Sequence, residues 1–292
     1  MPAAEIALPW RRRLVPYLQA GPLGLVLALF LVFPILTIIV VSFFDYNSSG
    51  QILPHVMLDN YHDVLWSKTT WLTYLSTFRF VVIVWVLTLF IGFWVSYFLV
   101  FHIRTNTMRI ALFLLTTIPF WTSNIIRMIS WIPLLGRNGM VNYLLIHLGL
   151  IDKPFEFLLF SPFSVVVAFV HLNTFLMIVP ISNSMARIDK SLIEAARDAN
   201  AKGWQILWNV IIPLSKTGIA IGSIFILTVV MGDFATVRLM SGGQSASVGL
   251  MMANQIALLQ YPAAAANAVV LLLVMLVLVA AILRIVDIRK EL

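Results

Sequence analysis

From Ala263 to Leu283 the chain carries one polar side chain, Asn267, and no charge. A helix needs about 20 residues to cross the roughly 30 Å hydrocarbon core of a bilayer, so a run of this kind reads as a membrane span. Comparable runs recur, and six segments read as spans: 22–44, 78–101, 109–134, 163–185, 217–239 and 263–286. The composition agrees, because 61% of the residues are hydrophobic and only 11% charged, whereas soluble domains run near one half and one quarter. The expected fold class is an all-α membrane protein with six transmembrane helices. The first span follows Arg11, Arg12 and Arg13 in the manner of a signal sequence. Its apolar run is longer than a signal core and lacks a clear small-residue cleavage site, so it is expected to remain as an anchor.

The net charge of +7 is spread over short separate loops, not gathered into the continuous basic stripe of a nucleic-acid-binding face. These residues read as orientation signals, since positive loops stay cytoplasmic. With the N-terminus inside, Arg104, Arg109, Arg187, Lys190, Arg197, Lys202, Lys216, Arg284, Arg289 and Lys290 join the three N-terminal arginines in the cytoplasm. The outer side keeps Lys68, Arg79, Arg137 and Lys153. Both termini are expected to be cytoplasmic, with 1–21 an N-terminal segment, 22–286 one membrane domain and 287–292 a tail. No internal repeat supports a duplicated transporter.

Catalytic and metal chemistry find no foothold. There is no cysteine, and His55, His62, His102, His147 and His171 show no ligand spacing; loop or interfacial polarity accounts for them. No phosphate loop of the G-x-x-x-x-G-K-[ST] type is present, so the chain has no visible means of cradling ATP. The SGGQ string at 241–244 reads as a turn.

The longest inner loop carries the strongest signal. From Ser191 the chain reads SLIEAARDANAKGWQILWNVIIPLS, with serine and glutamate at capping-box spacing, so a helix is expected to begin there. Asn200 can adopt the left-handed conformation that ends a helix, and a turn over Ala201 to Gly203 follows. Trp204, Leu207, Trp208 and Ile211 then mark one apolar helix face before Pro213 interrupts it. Two short helices joined by a turn are expected; from the pattern alone they could be an amphipathic connector resting on the bilayer.

This string resembles the coupling-loop motif of permeases in ATP-binding-cassette importers, with Glu194, Ala195, Ala196, Asp198, Ala201, Trp204 and Pro213 at the matching positions. Asn200 stands where that family has glycine, and Gly203 can relax the same turn. The resemblance implies a type I importer permease fold, with a cytoplasmic coupling helix in loop 190–214 that docks on an ATPase dimer. It implies a bacterial inner-membrane protein with a second homologous permease and a solute-binding protein as partners. ATP and magnesium would sit on the ATPase, and no cofactor on this chain.

A second string, PFWTSNIIRMISWIPLLGRNGMVNYLLIHLGLI, mixes polar residues into an apolar stretch. Pro119, Phe120, Trp121, Thr122, Ser123, Arg127, Trp131, Asn138, Gly139, Asn142 and Gly149 are similar to the pattern of polyamine-importer permeases of the spermidine and putrescine type. That likeness implies a polyamine cargo. Gln260, beside Tyr261 and Pro262, stands where those permeases have an acid, which detracts from it.

Ionisable residues in spans are costly and mark pathways or internal pairs. Arg127, Asp233 and Arg238 are of this kind. Asp233 could counter a cationic solute beside Trp131 or Phe234, or pair with Arg127. The pathway candidates are therefore Trp121, Ser123, Arg127, Trp131, Asp233, Phe234 and Arg238. Importer permeases for other small solutes, such as amino acids or organic cations, and an autonomous secondary transporter are the rival readings.

Overall fold

The computed structural model describes residues 10–47 and 49–286; the expected tail at 287–292, with Arg289 and Lys290, lies outside them. Among the described residues five helices are long and apolar enough to cross a membrane: Gln19–Val41, Lys68–His102, Pro162–Ala186, Gly203–Gly232 and Tyr261–Arg284. Two further apolar helical segments, Asn106–Trp121 and Asn124–His147, bent by 93° at the break between them, together are long enough for a sixth.

The bend falls inside the span expected over 109–134. The helix Asn106–Thr117 tightens into a 3₁₀ turn, Ile118–Trp121. Pro119 has no N–H to extend the ladder, and its carbonyl is taken by the Thr122 N–H at 3.3 Å and the Thr122 hydroxyl at 2.8 Å. Thr122 is extended, and helix resumes only at Asn124.

The fifth span is also displaced. It was expected over 217–239, but the rod starts at Gly203, absorbs the second loop helix and stops at Gly232. A π-turn over Leu207–Ile211 precedes Pro213, which sits in the first turn of the next helical stretch. Widening the turn to i→i+5 accommodates a residue without an N–H, so Pro213 does not break the rod.

Pro162–Ala186 is the central element, packed against both Lys68–Tyr97 and Ile212–Gly232. Val81, Val84, Phe169, Met177, Ile181, Met185 and Ile226 fill the contact. In lipid there is little hydrophobic drive to press helices together, so close packing and hydrogen bonds must do it. Gly218 faces the Pro180 carbonyl so closely that an added Cβ would lie 2.4 Å from its oxygen. Ser182 donates to Ser96 at 2.9 Å, Ser96 donates to the Ile178 carbonyl at 3.1 Å, and the Trp85 indole donates to Ser223 at 2.8 Å.

One end of the bundle carries longer connections. The all-α expectation meets a small exception there, an antiparallel hairpin pairing Phe44–Tyr46 with Ile52–Val56. The buried Asn60 ties it down by donating to the carbonyls of Ser42 and Phe44 at 3.2 and 2.9 Å. Glycines at φ 56° and 82°, Gly242 and Gly243, make the expected turn of SGGQ.

Candidate functional site

Two places gather the residues singled out above. The first lies at the opposite end of the bundle, where the helix Lys190–Asp198 begins one residue before Ser191. Its cap is Asp189, whose carboxylate accepts the Ser191 N–H at 3.0 Å; the expected Ser191–Glu194 capping box is not the device used. That bond, with a further one to the Ser191 side chain, holds the Asp189 carboxyl below its ordinary range.

The far end of this helix follows the expectation. Asn200 is left-handed at φ 63°. The Asn200 N–H reaches back to the Arg197 carbonyl at 2.8 Å and the Ala201 N–H to Ala196 at 3.0 Å, the paired bonds of a Schellman ending. Gly203 does not share the turn: it has no positive φ and instead opens the long rod. There Gln205 reaches back to accept the Lys202 N–H at 2.7 Å.

Ile193, Ala196 and Ala201 rest on the core, while Glu194, Ala195 and Asp198 remain exposed. Trp204 and Trp208, expected on one apolar face, are each 62% exposed, and only Ile206 and Ile211 of this stretch are buried. The loop thus presents a capped helix and two indoles outward. Behind it lies a polar cavity of about 550 Å³ where Arg104, Arg109, Lys190 and Arg197 surround a single acid, Glu194.

The second place is a cavity of about 1000 Å³ between Lys68–Tyr97, Pro162–Ala186 and the bent third crossing. Arg127 and Trp131 line it, as do Arg79, His171 and Gln244. Arg127 is 7% exposed. One of its terminal nitrogens donates to Asn124, and its Nε is buried without a hydrogen-bond partner among the described residues. The Trp131 indole donates to His171 Nδ1 at 3.0 Å, with the rings edge to face.

The other pathway candidates part company with these. Asp233 caps the short helix Ala235–Met240, its two carboxylate oxygens accepting the Thr236 N–H at 2.8 Å and the Thr236 hydroxyl at 2.9 Å. The ion pairs among the described residues are Arg137–Glu156 and His62–Asp63, so Asp233 does not pair with Arg127. Phe234 and Arg238 line a separate cavity of about 750 Å³ beside the first and last spans. Trp121, 84% exposed, and Ser123 do not line the large cavity. His171 corrects its reading as loop or interfacial polarity, for it sits within the Pro162–Ala186 helix on the cavity wall. Its place inside the expected span 163–185 was the signal. Arg79, at the start of the expected span 78–101, carried the same mark but was counted only as an outer charge.

The model of the family described as "binding-protein-dependent transport system inner membrane component" matches residues 66–291. The spermidine/putrescine transport system permease protein PotB of Escherichia coli (strain K12) is 31% identical over 250 residues, covering 85% of this chain and 90% of that one. PotB of Haemophilus influenzae is 28% identical over 232 residues, 78% of this chain and 79% of its own. A chain in the crystal structure of a bacterial alginate ABC transporter, in complex with an alginate-bound periplasmic protein, superposes with a TM-score of 0.77 at 14% identity over 93% of each chain, a likeness of fold. Together with the crossings and the helix–turn–rod of residues 190–232, these matches establish that the chain belongs to the family of inner-membrane components of binding-protein-dependent transport systems.

Proposed function

We propose that this chain is one permease subunit of an ATP-driven importer that moves a small amine-bearing solute of the polyamine class by alternating access. The observation that carries the mechanism is the continuity of the coupling segment with a span. The capped helix Lys190–Asp198 turns at Asn200 directly into the rod Gly203–Gly232. A partner that grips Glu194, Ala195, Ala196, Asp198 and Trp204 therefore holds a lever reaching across the bilayer. In this reading a cytoplasmic ATPase dimer closes on ATP and tilts the rod. A second, homologous permease completes the path, and a solute-binding protein delivers cargo at the hairpin end. Both termini then face the cytoplasm, as the excess of basic residues on that side supports. Hydrolysis belongs to the ATPase, which supplies the nucleotide and magnesium. The polyamine cargo rests on the relatives' substrate.

The test is Glu194→Lys in the assembled transporter. It removes the one acid among four basic residues and reverses the charge offered to the ATPase. Transport should fall at least ten-fold while the subunit still inserts and ATP hydrolysis continues without solute dependence. Unchanged uptake together with solute-stimulated hydrolysis would overturn the assignment of this loop.

A further inference from the structure

The polar cavity behind the capped helix holds more positive charge than the described residues balance. Its volume is about 550 Å³, and Arg104, Arg109, Lys190 and Arg197 line it against the single acid Glu194. The four cations come from two places far apart in sequence: Arg104 and Arg109 from the connection into the bent crossing, Lys190 and Arg197 from the helix Lys190–Asp198. Lys190, Glu194 and Arg197 stand at i, i+4 and i+7, the spacing at which opposite charges on a helix pair. Neither cation forms an ion pair with Glu194, and no other acid is among the described residues that line the cavity. Glu194 can offset one of the four, so three positive charges remain without a counter-charge.

Local structure sharpens the imbalance. Arg104 and Arg109 flank the start of the helix Asn106–Thr117, and Asn106 itself lines the cavity. A helix start already carries partial positive charge, and this one has neither an acid in its first turn nor a side-chain cap. One terminal nitrogen of Arg109 donates to Asn106 Oδ1 at 2.6 Å, which fixes the guanidinium without neutralising it. An orientation signal needs basic residues on one side of the membrane and asks for no convergence; here they converge on one cavity. Guanidinium forks and an ammonium together match the oxygens of a phosphate group.

The apolar lining indicates where that phosphate comes from. Tyr97, Val100 and Phe101, at the end of the span Lys68–His102, and Ile206 and Ile211, at the start of the rod, also line the cavity. Trp94 and Phe98 are exposed beside Tyr97, and Trp208 is exposed on the rod. Aromatic side chains of this kind gather at the membrane–water interface, so the cations stand at the depth of the lipid headgroups. Basic pockets between helix ends at that depth attract anionic headgroups, whose phosphates are abundant there.

We propose that this cavity is a phosphate-binding site occupied by the headgroup of an anionic phospholipid. The phosphate lies between the Arg104–Arg109 pair and the Lys190–Arg197 face, and so ties the capped helix to the start of the bent crossing. Glu194, of the ligand's own sign, weakens the site. The site depends on neither cargo nor ATPase; only the naming of its leaflet as the cytoplasmic one rests on the orientation in the importer reading above.

The experiment uses the assembled transporter, stripped of lipid in mild detergent, with phosphatidylglycerol or phosphatidylcholine added back and bound lipid counted by native mass spectrometry. Phosphatidylglycerol should be retained in preference to phosphatidylcholine. Arg197→Gln should weaken its binding about five-fold and the double variant Arg104→Gln, Arg109→Gln about 25-fold, whereas Glu194→Gln should tighten it. Lys202→Gln removes the same charge from the same loop, outside the cavity lining, and should leave binding unchanged. All five side chains are exposed, and Arg197→Gln carries the test alone if the double variant fails to assemble. No preference for phosphatidylglycerol in the wild type overturns the proposal, as does a preference unmoved by the arginine variants or lowered equally by Lys202→Gln. Inorganic phosphate is the second arm. If it raises the melting temperature at matched ionic strength through the same arginines while phosphatidylglycerol does not bind, the site takes a free anion and the lipid is overturned. If the wild type retains no phosphatidylglycerol and the double variant sheds the ATPase, the cations face an acidic partner surface and the lipid site is refuted. None of these results touches ATP-driven uptake, whose absence would sink the importer reading by itself.

Discussion

Gly218 is where the backbone packing of the core can be put to a number. A Cβ there would stand 2.4 Å from the Pro180 oxygen, 2.7 Å from Ser184 Cβ and 2.9 Å from the Pro180 carbonyl carbon. Carbon contacts are comfortable at about 3.5–4.0 Å, so the helix pair must open by roughly 1 Å. The obstacle is main chain and cannot rotate away. Overpacking of this kind costs about 1–3 kcal/mol. Alanine returns about 1 kcal/mol through its helix propensity, which leaves Gly218→Ala destabilised by up to about 2 kcal/mol. Two other glycines of the same rod calibrate it. At Gly222 the nearest atom is the Met177 sulfur, 2.6 Å away, with the Met177 Cα at 3.3 Å; the thioether can move, so Gly222→Ala should cost less. Gly203 has nothing within 4 Å, and Gly203→Ala should be neutral or stabilising. Thermal unfolding in mild detergent, read by tryptophan fluorescence, should rank Gly203→Ala highest, then Gly222→Ala, then Gly218→Ala. A Gly218→Ala protein melting at or above Gly203→Ala would refute the close approach of the two helices.

Three further outcomes follow from single hydrogen-bonded groups. Asp189 has its carboxyl pKa lowered by the Ser191 backbone and then side-chain bonds, so its cap is fully present above the unfolded-state value and is lost as pH falls through the lower folded one; amide exchange at Ser191 should quicken below about pH 4, and Asp189→Asn should remove that pH dependence. Asn142 is 1% exposed and donates to the carbonyls of Gly136 and Phe155 while accepting the Phe155 N–H; Asn142→Asp replaces two donors by a buried charge and should cost about 3 kcal/mol or more, read as new protease sensitivity over 136–161. Asp233→Ala removes the cap of Ala235–Met240 and should cost about 1 kcal/mol, whereas Asp233→Asn, which still accepts from Thr236, should cost less in the same unfolding measurement.

The sequence was most legible where one physical cause dominated. Long apolar runs located the crossings because no competing fold hides so much surface from water. Asn200 ended its helix as expected because few side chains tolerate positive φ. The failures came where two causes competed. Over 109–134 hydropathy marked a span without locating its break, which Pro119 and Thr122 make by closing a local turn that no hydropathy scale weighs. Asp189 took the cap from Ser191 because a carboxylate one position before the helix was the available charged acceptor. Asp233 looked like an intramembrane counter-charge because its nearest partner, Thr236, lies in the turn that ends the span, and that turn was not visible in an unbroken apolar pattern. Arg127 was legible as anomalous, yet the cavity that gives it meaning is built from helices far apart in sequence.

The same broken elements join the two sites. A rod of the length of Gly203–Gly232 spans about 45 Å at 1.5 Å per residue, more than the hydrocarbon core. Its far end is Gly232, and the chain turns at Asp233 into Ala235–Met240. That short helix packs on Asn124–Ile129, which carries Arg127, and on Pro162–Ala186, which carries His171. On the proposed mechanism, a tilt imposed at Asn200 therefore reaches the cavity wall through rigid helix and a single hydrogen-bonded corner. A fifth span running on to 239 would have offered no such corner. The breaks in the spans place the buried guanidinium beside the end of the rod, so in the proposed mechanism a movement imposed at the coupling loop would reach it.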